Sequence, residues 1–113
     1  MRSLAELNTQ PYRKGEPPLS DIEISELQSL IPAWDVIDVD GIKRLERVFK
    51  FKNFVQAIAF TNKVGELAEE QDHHPALLTE WGRVKVTWWT HFVKGLHRND
   101  FIMAAKTDQI VES

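Results

Sequence analysis

Hydrophobic residues recur at two different periods along the middle of the chain, and the order of these periods restricts the possible folds. Hydrophobic and polar residues alternate over 42–51 and again over 84–91, as in half-buried strands. Between these segments, residues 54–68 place apolar side chains at steps of three and four, which is typical of an amphipathic helix. The centre of the chain therefore predicts one helix with strands on both sides.

Turn signals pair the strands into two hairpins. Asp40-Gly41 is a strong hairpin signal, and it joins a strand over 34–39 to the strand that follows. Gly82 marks a second turn, directly after a short predicted strand over 77–81. One hairpin is therefore predicted before the central helix in the sequence, and another after it.

Helix signals complete the pattern. Ser20 and Glu23 form a predicted capping box at the start of a short helix, which Pro32 stops. Asn53 is placed to cap the long central helix, and apolar residues at helical intervals predict a last helix over 98–111.

These elements predict an α+β fold in the order α-β-β-α-β-β-α. Two hairpins joined through a helix favour one four-stranded antiparallel sheet, with three helices packed on one face. At 113 residues the chain is expected to form a single domain over 1–113, with residues 1–19 as an irregular lead-in.

Composition excludes several functional classes. The net charge of −3 argues against a sequence-independent nucleic-acid binder, which would carry a basic surface. The chain has no cysteine, which excludes disulfides, thiolate zinc sites and cysteine nucleophiles. No apolar run reaches the length of a signal peptide or a membrane span, so we expect a cytoplasmic protein that does not act at a membrane.

Three of the four histidines fall into one region beside carboxylates. His73 and His74 are adjacent and follow Asp72, and His91 ends the last predicted strand. Glu69 lies four residues before His73, so the two would share a face if the helix continued. Because hairpin pairing could bring the end of that strand back toward the pair, the three rings could converge. Imidazoles exchange protons near neutral pH, so such a cluster would suit acid–base catalysis.

Two other interpretations of these histidines remain open. An isolated histidine is usually a surface residue or a satisfied core residue, and a His-His pair also arises by chance. Three histidines and a carboxylate could instead bind zinc or iron. Adjacent residues on an extended segment point to opposite sides, however, and the chain has no His-x-His or His-x-x-x-His spacing. The pattern therefore favours a site without metal.

The motifs resemble those of the pterin-4a-carbinolamine dehydratase family, and the resemblance runs from about Trp34 onward. The family pattern contains an acidic residue followed after three positions by His-His-Pro, then a Thr-His pair, then Gly-Leu and an aspartate. These elements occur here in the same order, as Glu69, His73-His74-Pro75, Thr90-His91, Gly95-Leu96 and Asp100. Many relatives carry an Asn-x-Tyr-Asn-like stretch after His-His-Pro. This chain departs from it over 76–82, where Trp81 is the candidate aromatic residue.

The resemblance implies a hydro-lyase that removes water from a 4a-hydroxytetrahydropterin, the product of aromatic amino-acid hydroxylases. His73 and His91 are expected to share the acid and base steps, while His74 binds and orients the pterin. The pterin is the substrate, and no cofactor or metal is expected. The remaining candidate substrate-binding residues are Glu69, Asp72, Trp89, Thr90, Phe92, Asp100 and Trp34. Among these, Asp100 also fits a helix N-terminal charge, and Trp34 also fits a core position at the start of a strand.

Other functions of the same family stay open as alternatives. Members in animals also act as protein partners that stabilise dimers of a homeodomain transcription factor, and members form dimers and tetramers. The resemblance therefore implies a homodimer or homotetramer here and leaves room for a second protein partner, but not for direct nucleic-acid contact. A pterin-binding protein without turnover would use the same pocket. The histidine–carboxylate cluster favours the enzyme, because an interaction role does not call for it.

Overall fold

The computed structural model describes residues 3–112, without the side chain of residue 112. The elements follow the predicted order, and two short 3-10 turns are added, at Leu4–Glu6 and His91–Val93. The helices and strands are α1 (Asp21–Gln28), β1 (Asp35–Val39), β2 (Ile42–Lys50), α2 (Phe54–Gln71), β3 (Ala76–Glu80), β4 (Arg83–Trp88) and α3 (Arg98–Glu112).

The four strands form one antiparallel sheet in the order β1-β2-β4-β3. The second hairpin therefore returns with β4 beside β2, and β3 becomes an edge strand. Helix α2 makes this return connection across the sheet. The predicted α+β fold with a four-stranded antiparallel sheet is confirmed.

Local sequence signals explain where these elements begin and turn. Ser20 and Glu23 form both hydrogen bonds of a capping box at the start of α1. The Asn53 side chain accepts the Gln56 backbone N–H at 2.9 Å and caps α2. Asp40 and Gly41 both have positive φ, 53° and 81°, as a two-residue hairpin of right-handed twist requires.

The core lies between one face of the sheet and the helices. Strands β2 and β4 present buried side chains toward α2 and α3, in the alternation expected from the sequence. The largest members of this core from the sheet are Leu45, Phe49, Val84, Val86 and Trp88. The opposite face carries mainly polar side chains such as Glu46 and Lys85.

Trp34 belongs to this core and does not cover a substrate pocket. Its side chain is fully buried, its indole N–H donates to Asp108 at 2.9 Å, and its ring packs edge-on against Phe49. It lines neither of the cavities at His73. The predicted substrate contact is therefore corrected: the indole is used to anchor β1 against α3.

The predicted end of the last strand is also corrected. β4 stops at Trp88, and Thr90 then pairs with Gly95 in an isolated antiparallel bridge. His91 begins a 3-10 turn, which Lys94 closes with a positive φ of 55°. The chain thus reverses directly after the strand, so His91 lies on a turn at the end of the sheet.

No helix within residues 3–112 is long and apolar enough to span a membrane.

Candidate active site

The end of α2 aims the two adjacent histidines in different directions. Asp72 adopts the left-handed conformation with φ of 51°, and the His73 backbone N–H donates to the Ala68 carbonyl at 3.1 Å. This is the usual hydrogen-bond pattern of a helix that ends on a left-handed residue. As a result His73 is buried, whereas the His74 side chain is 56% exposed.

His73 is held on three sides by side chains. Its ring stacks on Trp88 with an angle of 7° between planes and 5.6 Å between centroids. Nε2 lies 2.6 Å from Asp100 Oδ1, and Nδ1 lies 2.6 Å from the Tyr12 hydroxyl. Both ring nitrogens therefore have a partner within the protein.

Asp100 is the fixed anion beneath the site. It is fully buried in the first turn of α3. Its second oxygen, Oδ2, accepts the Thr90 hydroxyl at 2.8 Å and the His97 backbone N–H at 2.9 Å. Three donors around one carboxyl group suit an ionised carboxylate, which only accepts. Asp100 thus acts as a helix N-terminal charge and as an anchor of His73 at the same time.

The hydrogen bonds assign the protons on neutral His73. Because ionised Asp100 can only accept, Nε2 carries the ring proton and donates it. Nδ1 then offers a lone pair, and the Tyr12 hydroxyl donates to it. The result is a chain from carboxylate to imidazole to phenol.

An open cavity of about 210 Å³ brings together most of the predicted site residues. Its wall consists of Tyr12, Asp72, His73, His74, Trp89, Thr90, His91 and Phe92. All three predicted catalytic histidines therefore border one cavity. Glu69 does not line it but lies 2.5 Å from His74 Nε2 in an exposed pair. Trp81 is 72% exposed at the turn after β3 and does not line this cavity.

Trp89 supplies a flat surface in this cavity. Its ring lies 4.9 Å from that of His91, and the Arg44 guanidinium sits 4.0 Å from its centroid on the open face of the sheet. A cation over the ring fixes the indole through the attraction between the charge and the π face. An indole held in this way can support a planar ligand.

A second cavity of about 350 Å³ adjoins the first and shares Tyr12, Asp72 and His73 with it. Its remaining wall residues, apart from Pro11, are polar, and most come from the N-terminal segment. They are Thr9, Gln10, Pro11, Gln71 and Asn99.

The lead-in is part of the site, which the sequence pattern did not predict. Asn99 exchanges two hydrogen bonds with the Gln10 backbone, at 2.9 and 2.7 Å. Thr9 donates to the Gln71 carbonyl at 3.1 Å. These contacts place residues 9–12 against the C-terminal end of α2 and the N-terminal end of α3. These hydrogen bonds hold the lead-in against the helices, although it has little regular secondary structure.

His97, the histidine left outside the predicted cluster, is buried and caps α3. Its Nδ1 accepts the Asn99 backbone N–H at 3.0 Å, so its proton must lie on Nε2. That nitrogen is 2.9 Å from Glu16 Oε2. The Arg13 backbone N–H donates to the same Glu16 carboxylate and lowers its pKa. His97 therefore ties the N-terminal segment to the start of α3.

Titration of Tyr12 gives a direct test of this arrangement. Burial raises the pKa of the Tyr12 hydroxyl above the ordinary 10.0. Because Tyr12 is the only tyrosine, tyrosinate absorbance reports this group alone. We expect a midpoint above 10.0 in the folded protein, with a return to the ordinary value in denaturant. The protonated phenol then contributes stability below pH 10.0 that is lost as pH rises through the folded-state pKa. A folded-state midpoint at or below the denatured one would contradict the burial of this phenol.

Among residues 3–112 no group of three or more histidine, cysteine, aspartate or glutamate side chains has the arrangement of a metal site.

Comparison with known proteins identifies relatives along almost the whole chain. A protein of Microcystis aeruginosa (strain NIES-843 / IAM M-2473) is 58% identical over 110 residues, covering 97% of this chain and 95% of that protein. One of Nitrosococcus oceani is 54% identical over 112 residues, covering 99% of both. Both carry the provisional name of pterin-4-alpha-carbinolamine dehydratase.

Solved structures agree with this fold. The crystal structure of a transcriptional coactivator/pterin dehydratase from Brucella melitensis matches with a TM-score of 0.74 and 35% identity, over 82% of this chain and 97% of that one. A pterin dehydratase-like RuBisCO assembly factor of the alpha-carboxysome matches with a TM-score of 0.61 and 22% identity, over 72% and 92%, and shows the shared fold alone.

The family model of pterin 4 alpha carbinolamine dehydratase matches residues 17–110, which includes every predicted site residue. On this match and on the identity to its relatives, the chain belongs to the pterin 4 alpha carbinolamine dehydratase family.

Proposed function

We propose that this protein removes water from a 4a-hydroxytetrahydropterin and releases the quinonoid dihydropterin. The observation that carries the proposal is the cavity bordered by all three of His73, His74 and His91, in a chain of this family. The flat Trp89 ring beside His91 suits a planar bicyclic substrate. The expected setting is the recycling of tetrahydropterin after aromatic amino-acid hydroxylation, in the cytoplasm.

The reaction requires two proton transfers. The hydroxyl on C4a must gain a proton to leave as water, and the neighbouring N5 must lose one. Imidazole can serve as either partner near neutral pH. In the proposal His73 and His91 share these two steps, and His74 holds and orients the pterin.

The histidines differ in how they are supported. His73 is buried and bound to Asp100, so its position and tautomer are fixed. His91 is exposed on the turn after β4, where it can reach a ligand without rearrangement of the core. His74 is exposed, borders the cavity and is paired with Glu69, which does not line the cavity. Positioned acid–base catalysis of this kind contributes about 10²–10⁴-fold to a rate.

Turnover and binding must be measured separately, because a pterin-binding protein without turnover would use the same cavity. Purified protein is mixed with a 4a-hydroxytetrahydropterin, and quinonoid product is followed by ultraviolet absorbance. Binding of a stable dihydropterin is followed in parallel by quenching of tryptophan fluorescence. We expect both signals. Binding without any acceleration of product formation would contradict the dehydratase and favour the binding role.

Removal of metal tests the chemistry of the site. We expect protein treated with a strong chelator and then desalted to keep its full dehydratase activity, because the proposed steps use imidazole protons alone. Activity that is lost on chelation and restored by zinc would contradict this account. A mock-treated sample serves as the control for handling losses.

A protein-interaction role is the second candidate, and the Brucella relative's name as a transcriptional coactivator/pterin dehydratase favours it. The chain also exposes apolar side chains on α1 and α2, with Ile22 at 73% and Val55 at 78%. A homodimer or homotetramer would cover part of this surface. Light scattering coupled to size exclusion tests it: a monomer at micromolar concentration would contradict self-association.

A further inference from the structure

We infer that Tyr12 carries the proton between His73 and the substrate, so that the catalytic unit is Asp100, His73 and Tyr12. The inference rests on the proposed dehydratase function and adds a residue to it. Tyr12 lies outside the 17–110 segment that the family model matches. The assignment therefore comes from the geometry of this chain.

The first observation is that His73 has no free nitrogen. Nε2 is engaged by Asp100 and Nδ1 by Tyr12, each at 2.6 Å, and one face of the ring is covered by Trp88. Only 6% of His73 is exposed. A substrate in the cavity therefore meets His73 through the phenol that occupies Nδ1.

The second observation is the position of Tyr12 itself. It borders both adjoining cavities, so it stands where a ligand in either would lie. Its ring is held by a stacking contact with Phe92, with centroids 5.7 Å apart, and by an edge contact with His97 at 4.8 Å. When Nδ1 of His73 also carries a proton, it donates to the phenolic oxygen, and the phenolic O–H can then donate to a ligand on the cavity side.

The third observation is that the backbone around Tyr12 is fixed on both sides. Gln10 is paired with Asn99 through two hydrogen bonds, and Glu16 contacts His97. These ties hold the segment against α3, which also carries Asp100. The phenol and the carboxylate are thus held on the same helix end, and each binds one nitrogen of His73.

The proposed dehydration step balances in protons and electrons. When His73 is doubly protonated, Tyr12 gives its hydroxyl proton to the departing C4a oxygen, whose bond to carbon breaks, and water leaves. Nδ1–H of His73 passes its proton to the phenolic oxygen, so Tyr12 is neutral again and His73 is neutral. The electron pair of the N5–H bond, released as N5 gives its proton to His91, forms the new bond between N5 and C4a. No oxidant or reductant is involved.

Replacing Tyr12 with phenylalanine removes the hydroxyl and keeps the ring contacts. We expect kcat to fall about a hundredfold while KM changes by less than about threefold, because the group acts in proton transfer and not in binding. Lys106→Met is the matched control: it removes a 2.8 Å bond to the Ala5 carbonyl of the same N-terminal segment, outside both cavities. Its kcat should stay close to that of wild type.

A second readout separates proton transfer from a structural role. Since Tyr12 is the only tyrosine, growth of a tyrosine auxotroph on a polyfluorinated tyrosine changes this phenol alone. The step uses a proton shared by the hydrogen-bonded His73–Tyr12 pair, so the alkaline limb of the kcat profile reports the loss of that proton. A more acidic phenol should move this limb to lower pH, and Tyr12→Phe, which breaks the relay from His73, should abolish it. The titratable groups that face the phenol are Asp72, His73, His97 and Asp100, and none of them is itself fluorinated.

The outcomes distinguish this inference from the function on which it rests. An active wild type together with a fully active Tyr12→Phe variant, or an alkaline limb that ignores fluorination, overturns the role of Tyr12 alone. A wild-type protein without turnover overturns the dehydratase and this inference together. A hundredfold loss of kcat with a limb that follows the phenol supports it.

Discussion

Replacing His73 and His91 together with alanine is expected to remove nearly all of the acid–base contribution, a loss of about 10²–10⁴-fold in kcat. Each single variant should lose about a hundredfold, and the double variant should lose less than the product of these two losses, because both residues serve one reaction step. His74→Ala should mainly raise KM, since that residue is proposed to bind the pterin. The measurement is kcat and KM from the appearance of quinonoid product.

His91→Ala is the cleaner of the two single variants. His91 is exposed on a surface turn, so its loss should change the free energy of unfolding by no more than about 0.5 kcal/mol. His73 is buried against Asp100, so its loss also removes a buried hydrogen bond. A folded double variant with wild-type kcat would reject both proposed roles.

The second large effect concerns stability. Asp100→Ala should lower the free energy of unfolding by about 3–5 kcal/mol, because it leaves three buried donors without an acceptor. These donors are His73 Nε2–H, the Thr90 hydroxyl and the His97 backbone N–H. Urea unfolding gives the change directly through the midpoint and slope.

Glu69→Ala is the matched control, since it also removes a carboxylate bound to a histidine. The Glu69–His74 pair is exposed, and such pairs contribute about 0–1 kcal/mol. If Asp100→Ala is no more destabilising than Glu69→Ala, then Asp100 is not the buried anchor described here.

The parts of the fold that could be predicted are those fixed by neighbouring residues. Asn53 caps α2, and Asp40-Gly41 closes the first hairpin, because capping and turn geometry depend on a few adjacent residues. The end of β4 could not be predicted in the same way. In the sequence, hydrophobic and polar residues alternate as far as His91. In the structure, β4 ends at Trp88, and the antiparallel bridge between Thr90 and Gly95 reverses the chain there.

The site was predictable only where its residues form a motif. His73, His74 and His91 stand in a recognisable order, and the structure places them around one cavity. Tyr12 reaches His73 across 61 residues of sequence, from a segment without periodicity. No local pattern indicates such a contact. The same holds for Trp34, whose partner Asp108 is 74 residues away.

The most direct test of the account is the rate of a single turnover by wild-type protein in excess over a 4a-hydroxytetrahydropterin, in the presence of a chelator and beside a buffer blank. We expect quinonoid dihydropterin to form at least about a hundredfold faster than in the blank near neutral pH. Product formation at the spontaneous rate, in protein shown to be folded, would contradict it.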